Sequence, residues 1–248
     1  MEISQYYETL VQRDLNFYVL PGSFTLLGEL IIFKYYGIDE LWKKVITNNI
    51  SDNIILNVVL FLGFSYIVGY ILYMVHNRTI GSSIRLKRHL ILQKYIFPQE
   101  PSETILKMRS EMVTAIFGDS FTSNIEKLNN MGDLLQLYFN ADKYIRQKNK
   151  DFYLTYIGRL TATSRFCGVM SIACGILAIS LLWVFFYFQA IFIVAITLIL
   201  IAVFFILSFW FFKQSITDQE ELVWNIVQSI YLIQNNEKNQ PTKETIKA

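Results

Sequence analysis

Glu29 is the residue of this sequence whose position most invites chemistry. It sits inside an apolar run, LNFYVLPGSFTLLGELIIFKYY (15–36), a few residues from the end of that run. An ionisable group at such a depth in a membrane costs at least ~2.5 kcal/mol on insertion scales, so it faces protein or water. Counted from the same membrane surface, Ser180 and Thr197 of two later apolar runs lie at a similar depth, and Asn57 lies nearer the surface. These four residues form a candidate polar layer. Its chemistry would be an ion or proton path, or an electrostatic gate. The plainer alternative is a protonated Glu29 hydrogen-bonded to a neighbouring helix.

Enzyme signatures are missing. There is no HExxH, GxSxG, CxxC, P-loop or GxGxxG pattern, and each of those chemistries needs its residues at that spacing. His76 and His89 stand alone at or near one membrane surface, where interfacial histidines are common. His76 with Arg78 is the single catalytic candidate for a lipid-directed enzyme. Cys167 and Cys174 are seven residues apart on one helix face and read as small packing residues. No catalytic residue, metal or cofactor is expected, and the chain is read as non-enzymatic.

The elements that must carry Glu29 are apolar runs. The chain has 248 residues, is 53% hydrophobic and 16% aromatic, and has mean hydropathy +0.36, values of a membrane protein. Residues 166–212 contain no Asp, Glu, Lys, Arg or His. At ~1.5 Å per residue this is room for two crossings of ~20 residues each, with Tyr187-Phe188-Gln189 as the turn. Two more runs, 15–36 and 54–76, precede it. The expected fold is an all-α integral membrane protein with spans at 15–36, 54–76, 166–187 and 190–212. Pro21-Gly22 should kink the first span, with Ser23 and Thr25 re-satisfying the backbone. Organisation follows as 1–76, a helical region 77–165, the hairpin 166–212 and a helical tail 213–248.

Arg78, Arg85, Lys87, Arg88, Arg159 and Arg165 flank the spans on one side, against Lys43, Lys44 and a snorkelling Lys34 on the other. The positive-inside rule then puts both termini and 77–165 in the cytoplasm of a cell with an inner membrane. Tyr6, Tyr7 and Leu10 suit a short interfacial helix before the first span. The N-terminus has no basic leader and has Glu2 where myristoylation needs glycine, so neither a cleaved signal nor a lipid anchor is expected. Ser102 should cap a helix to Phe117, a second should cover 121–130, and Asp133 should cap a long pattern running into the third span. A stripe of Leu222, Val223, Ile226, Val227, Ile230 and Ile233 continues the fourth, so both spans should extend as a helical stalk. Residues 213–235 alone are ~35 Å long if helical.

Small residues mark expected helix contacts: Ser164, Gly168, Ser171 and Gly175 on the third span, and Ser65 and Gly69 on the second. In IRLKRHLILQK, Arg85, Lys87, Arg88 and Lys94 alternate with Ile84, Leu86, Leu90, Ile91 and Leu92, a pattern for contact with anionic lipid headgroups. Nucleic acid is not read as a direct ligand.

This layout resembles the proton-channel subunits of flagellar stators and of the TonB and Tol systems, without their Pro-containing third and fourth spans. It is also similar to small four-span effectors of bacterial anti-phage systems, in size, helical cytoplasmic region and Lys/Asn/Ile/Tyr-rich composition. Those resemblances imply a homo-oligomer in the lipid bilayer whose cytoplasmic helices bind a protein partner or signal and whose spans form or gate a pore. The alternative is a membrane scaffold that docks a soluble effector.

Overall fold

The computed structural model describes residues 14–35, 54–79, 81, 90–94, 97–98, 100–117, 131–149, 153–187 and 191–239. The expected interfacial helix, the 37–53 loop, the 121–130 helix and residues Arg85, Lys87, Arg88 and His89 lie outside them.

Among the described residues the ordered elements are helices. A π-helical turn, Leu15–Val19, leads into α1 (Leu20–Tyr35); α2 is Ile54–Arg78, α3 Glu103–Phe117 and α4 Met131–Lys148. A second π turn, Tyr153–Ile157, leads into α5 (Gly158–Tyr187), and α6 is Ile191–Asn239. Four stretches are long and apolar enough to cross a membrane: Leu15–Lys34, Ile55–Arg78, Thr155–Phe186 and Ala195–Ile233. The chain is a multi-pass, all-α membrane protein, and its last two spanning helices extend beyond the hydrocarbon length at their polar ends.

Two compact units emerge. The first holds Met1–Ser82 and Ala162–Ser215, the second Ser83–Thr161 and Ile216–Ala248.

In the first unit α5 is the central helix. Half of its spanning window is buried, against 28%, 17% and 11% for the other three. Leu177, Leu181 and Val184 pack with Ile32 of α1 and Ile201 of α6, while Val169 and Ala173 pack with Leu72 of α2. The outward faces of α2 and α6 carry Ile55, Val59, Phe64 and Ile67, and Ile199, Ile206, Phe209 and Trp210. Such all-round apolarity suits a lipid solvent.

The π turn at the start of the first span has a sequence cause. Leu20 N–H reaches back to the Leu15 carbonyl, the five-residue step of a π turn. The next residue, Pro21, has no N–H to offer the ladder. The wider turn thus ends where the α ladder would lose a donor anyway. Thr25 Oγ1 donates to the Pro21 carbonyl at 2.9 Å. Here α1 and α2 run antiparallel in near-backbone contact. A methyl group on Gly69 would overlap the Tyr18 carbonyl, and one on Gly22 would overlap the Ser65 carbonyl and come within 2.8 Å of Gly69 N. The Tyr18 ring lies 5.2–5.7 Å from those of Tyr66, Tyr73 and Tyr70.

The second unit has its own core. α3 buries Met108, Met112 and Val113, and α4 buries Leu134, Leu137, Tyr138, Ala141 and Ile145, against Leu222, Val223, Ile226, Val227 and Ile230 of α6. These are helical-face spacings. Ser102 caps α3: its Oγ accepts from Ile105 N–H at 3.4 Å and its carbonyl from Leu106 N–H at 3.0 Å. Two expectations change. α4 begins at Met131, so Asp133 lies inside its first turn rather than at its cap, and α4 ends at Lys148 instead of running unbroken into the third span. At that break the Tyr153 hydroxyl donates to Asp142 Oδ2 at 3.2 Å and accepts from the Arg146 guanidinium. Burial raises the Tyr153 phenol above its ordinary value, which keeps the donated proton in place. Ile91 and Leu92 also enter this core, so those two residues of the basic run face protein rather than headgroups.

The α1–α2 contact predicts opposite outcomes for two glycines on one helix. Gly69→Ala forces a methyl into backbone and should destabilise by about 1–3 kcal/mol, the usual cost of overpacking. At Gly63 an added methyl would meet nothing within 4 Å among the described residues, so Gly63→Ala should be neutral or stabilising through helix propensity. Equilibrium unfolding in mixed micelles would measure both.

Candidate functional site

Ser180 Oγ donates to Glu29 Oε1 at 2.6 Å, joining α5 to α1. The neighbouring contacts are apolar. Gly28 lies against Leu177, whose Cδ2 is 2.6 Å from where a methyl on Gly28 would sit, and Ile32 packs on Leu177, Leu181 and Val184. The carboxyl is held by one hydroxyl on an apolar wall. It is half-buried and not sealed in. Beside it α1 and α5 form an open groove of about 260 Å³ lined by Ile32, Phe33, Ile179, Ser180, Trp183 and Val184. Of the other layer residues, Thr197 is buried on α6 and Asn57 is half-buried on α2. The Ser180–Glu29 hydrogen bond joins two members of the layer.

The small residues of α5 divide between two neighbours. Ser171 Oγ donates to the Ser208 carbonyl and Ser208 Oγ to the Ser171 carbonyl, each at 2.8 Å. Ser164 and Ser215 repeat the exchange at 2.8 Å in both directions. The hydroxyl pairs themselves are 3.4 and 3.3 Å apart. Both clasps step by seven residues along each helix in opposite directions, the register of an antiparallel coiled coil. A methyl on Gly175 would meet Ser208 Oγ at 3.6 Å, an ordinary contact. Gly168 serves α2 instead: an added methyl there would overlap the His76 imidazole.

His76 is packed inside the protein. It is 2% exposed, sits over Gly168, and its Nδ1 has no hydrogen-bond partner among the described residues. Its ring centroid is 6.4 Å from that of Tyr73. Between His76 and Glu29 the helices are filled by Leu72, Val169 and Ala173, with Phe24 and Ile176 against them. Cys167 and Cys174 are free thiols, both buried. Ser65 is buried under Gly22. Lys94, of the headgroup set, is exposed.

Ser208 and Ser215 went unread in the sequence although the signal was present. Each lies seven residues from the other on the fourth helix, as Ser164 and Ser171 do on the third, and an antiparallel alignment pairs them.

Among the described residues no group of three or more His, Cys, Asp or Glu could hold a metal ion. The site can hold or release a proton at one carboxyl and can make or break one interhelical hydrogen bond.

The clasps predict a measurable coupling. In a double-mutant cycle of Ser171→Ala and Ser208→Ala, the pair should show an interaction energy of about 1 kcal/mol, since single interhelical hydrogen bonds in membranes average ~0.6 kcal/mol. Unfolding of the four proteins of the cycle in mixed micelles would give it. No family model matches this chain, and neither a curated protein nor a solved structure matches it.

Proposed function

We propose that this is a non-enzymatic, oligomeric protein of a bacterial inner membrane, with both termini in the cytoplasm. Its cytoplasmic helices receive a protein partner or signal, and its spans form or gate a pore. The observation that carries this reading is α6. One unbroken helix supplies Thr197 and Ile201 to the first unit and Leu222, Val223, Ile226, Val227 and Ile230 to the core of the second. A ligand that repacks the second core acts on the same continuous helix that contributes to the first.

The interior between α1, α2 and α5 is filled by side chains, with Ser65 and His76 buried among apolar ones. A conducting path therefore belongs between copies, with Glu29 biasing it through α1. The orientation rests on Arg78, Arg159 and Arg165 at one end of the spans. The resemblance to small anti-phage effectors supplies the setting, a membrane response to infection.

A scaffold that docks a soluble effector is the second reading. It is favoured by Leu106, Phe139 and Leu232, large apolar side chains exposed on the second unit.

Native mass spectrometry in nanodiscs should show four or more copies. In liposomes Glu29→Gln should change ion leakage by about fivefold or more, the effect of ~1 kcal/mol on a two-state gate. A monomer or dimer, with leakage identical in wild type and variant, overturns the pore. If Leu106→Asp with Leu232→Asp then abolishes partner recruitment, the scaffold reading takes its place.

A further inference from the structure

Glu29 is unfinished as a polar group. Oε1 accepts from Ser180, and among the described residues the second oxygen, Oε2, has no protein donor. The carboxyl is half-buried, so that oxygen is open to whatever surrounds the protein. What surrounds it is set by the neighbours: Ile31, Ile179, Trp183 and Phe186 are exposed apolar side chains on the same two helices. Such side chains suit contact with acyl chains.

We propose that the α1–α5 groove is a lipid site for a phospholipid with a primary ammonium headgroup. An acyl chain lies along Ile32, Phe33, Ile179 and Val184, and the ammonium donates a hydrogen bond to Glu29 Oε2. Three features favour this occupant. A carboxylate repels an anionic headgroup and attracts a cationic one. A primary ammonium has three N–H donors, whereas a quaternary choline has none. Glu29 lies about 9 Å along the helix from Tyr35, a depth that local thinning brings within reach of a headgroup. Trp183, which lines the groove, belongs to the side-chain class that settles at headgroup level. The site depends on Glu29 and the groove alone and holds whether or not the spans conduct.

The test uses the full-length protein, delipidated in detergent and titrated with phosphatidylethanolamine or phosphatidylcholine of identical acyl chains, with bound lipids counted by native mass spectrometry. The wild type should prefer phosphatidylethanolamine by about tenfold, the ratio for one charge-assisted hydrogen bond. Glu29→Gln keeps the side-chain shape and an acceptor for Ser180, and should bring the ratio to near one. Ile179→Trp, at an exposed position of the groove lining, fills the groove and should remove both lipids while the protein keeps its thermal midpoint. Equal retention of the two lipids by the wild type overturns the proposal. A preference that survives Glu29→Gln overturns it too. So does loss of oligomer in Lys34→Gln with no lipid preference in the wild type, which would make Lys34 of a second copy the partner of Glu29. The readout is lipid retention and not leakage, so failure of this site and failure of the pore are separate results.

Discussion

The spanning unit depends on the reciprocal exchange of hydroxyl hydrogens between α5 and α6. In hydrocarbon no water relieves an unpaired hydroxyl, and apolar helices gain nothing from each other that lipid tails do not already give. Polar pairing and close packing must therefore choose the partner. Ser164 with Ser215 and Ser171 with Ser208 satisfy all four hydroxyls against backbone carbonyls of the opposite helix. The seven-residue step then fixes register. Given that register, α5 buries Leu177, Leu181 and Val184 against α1 and α6 together and Val169 and Ala173 against α2.

The α1–α2 pair is held by a different force. It has glycine where the other pair has serine, so backbone meets backbone at Gly22, Ser65 and Gly69. Close approach maximises dispersion contacts, each small but many. The π turn before Pro21 belongs to this arrangement, since the carbonyl that meets Gly69 is that of Tyr18, inside the turn. On the far side of α2 the same logic of missing Cβ atoms lets His76 lie over Gly168.

The spans were legible because lipid demands long apolar runs, and 166–212 could hardly be anything else. Counting residues from a membrane surface also brought Glu29 and Ser180 to one depth, which works because helix rise is constant. Depth fixes height and not azimuth, so the same count could not say which helix each layer residue faces. The small-residue stripe of α5 read as one face, yet Gly168 serves α2 while Ser164 and Ser171 serve α6. Spacing alone cannot tell which of two neighbours a small residue admits. His76 read as interfacial because histidine near a span end often is. Its burial follows from Gly168, far away in the sequence, and no local pattern carries that. In the second unit the buried stripes of α3, α4 and α6 were plain from helical spacing, while the break after Lys148 has no proline or glycine beside it to announce it.

These two kinds of contact assign different stiffness to the two pairs of spans. Sliding α6 past α5 by one residue would break four interhelical hydrogen bonds at once, at ~0.6 kcal/mol each on average, and would leave Ser171 and Ser208 unpaired in hydrocarbon. The α5–α6 hairpin thus moves as one body. Between α1 and α5 the Ser180–Glu29 bond is set among side-chain contacts that a small rotation can exchange. A displacement of α6 within the membrane therefore carries α5 with it and is resolved at the α1–α5 contact. That is where the half-open carboxyl sits. An ionisable group placed at the softly held seam of the bundle is positioned to set the balance between two arrangements of that seam, since gaining or losing its proton or its ammonium partner changes the strength of the polar bond across it.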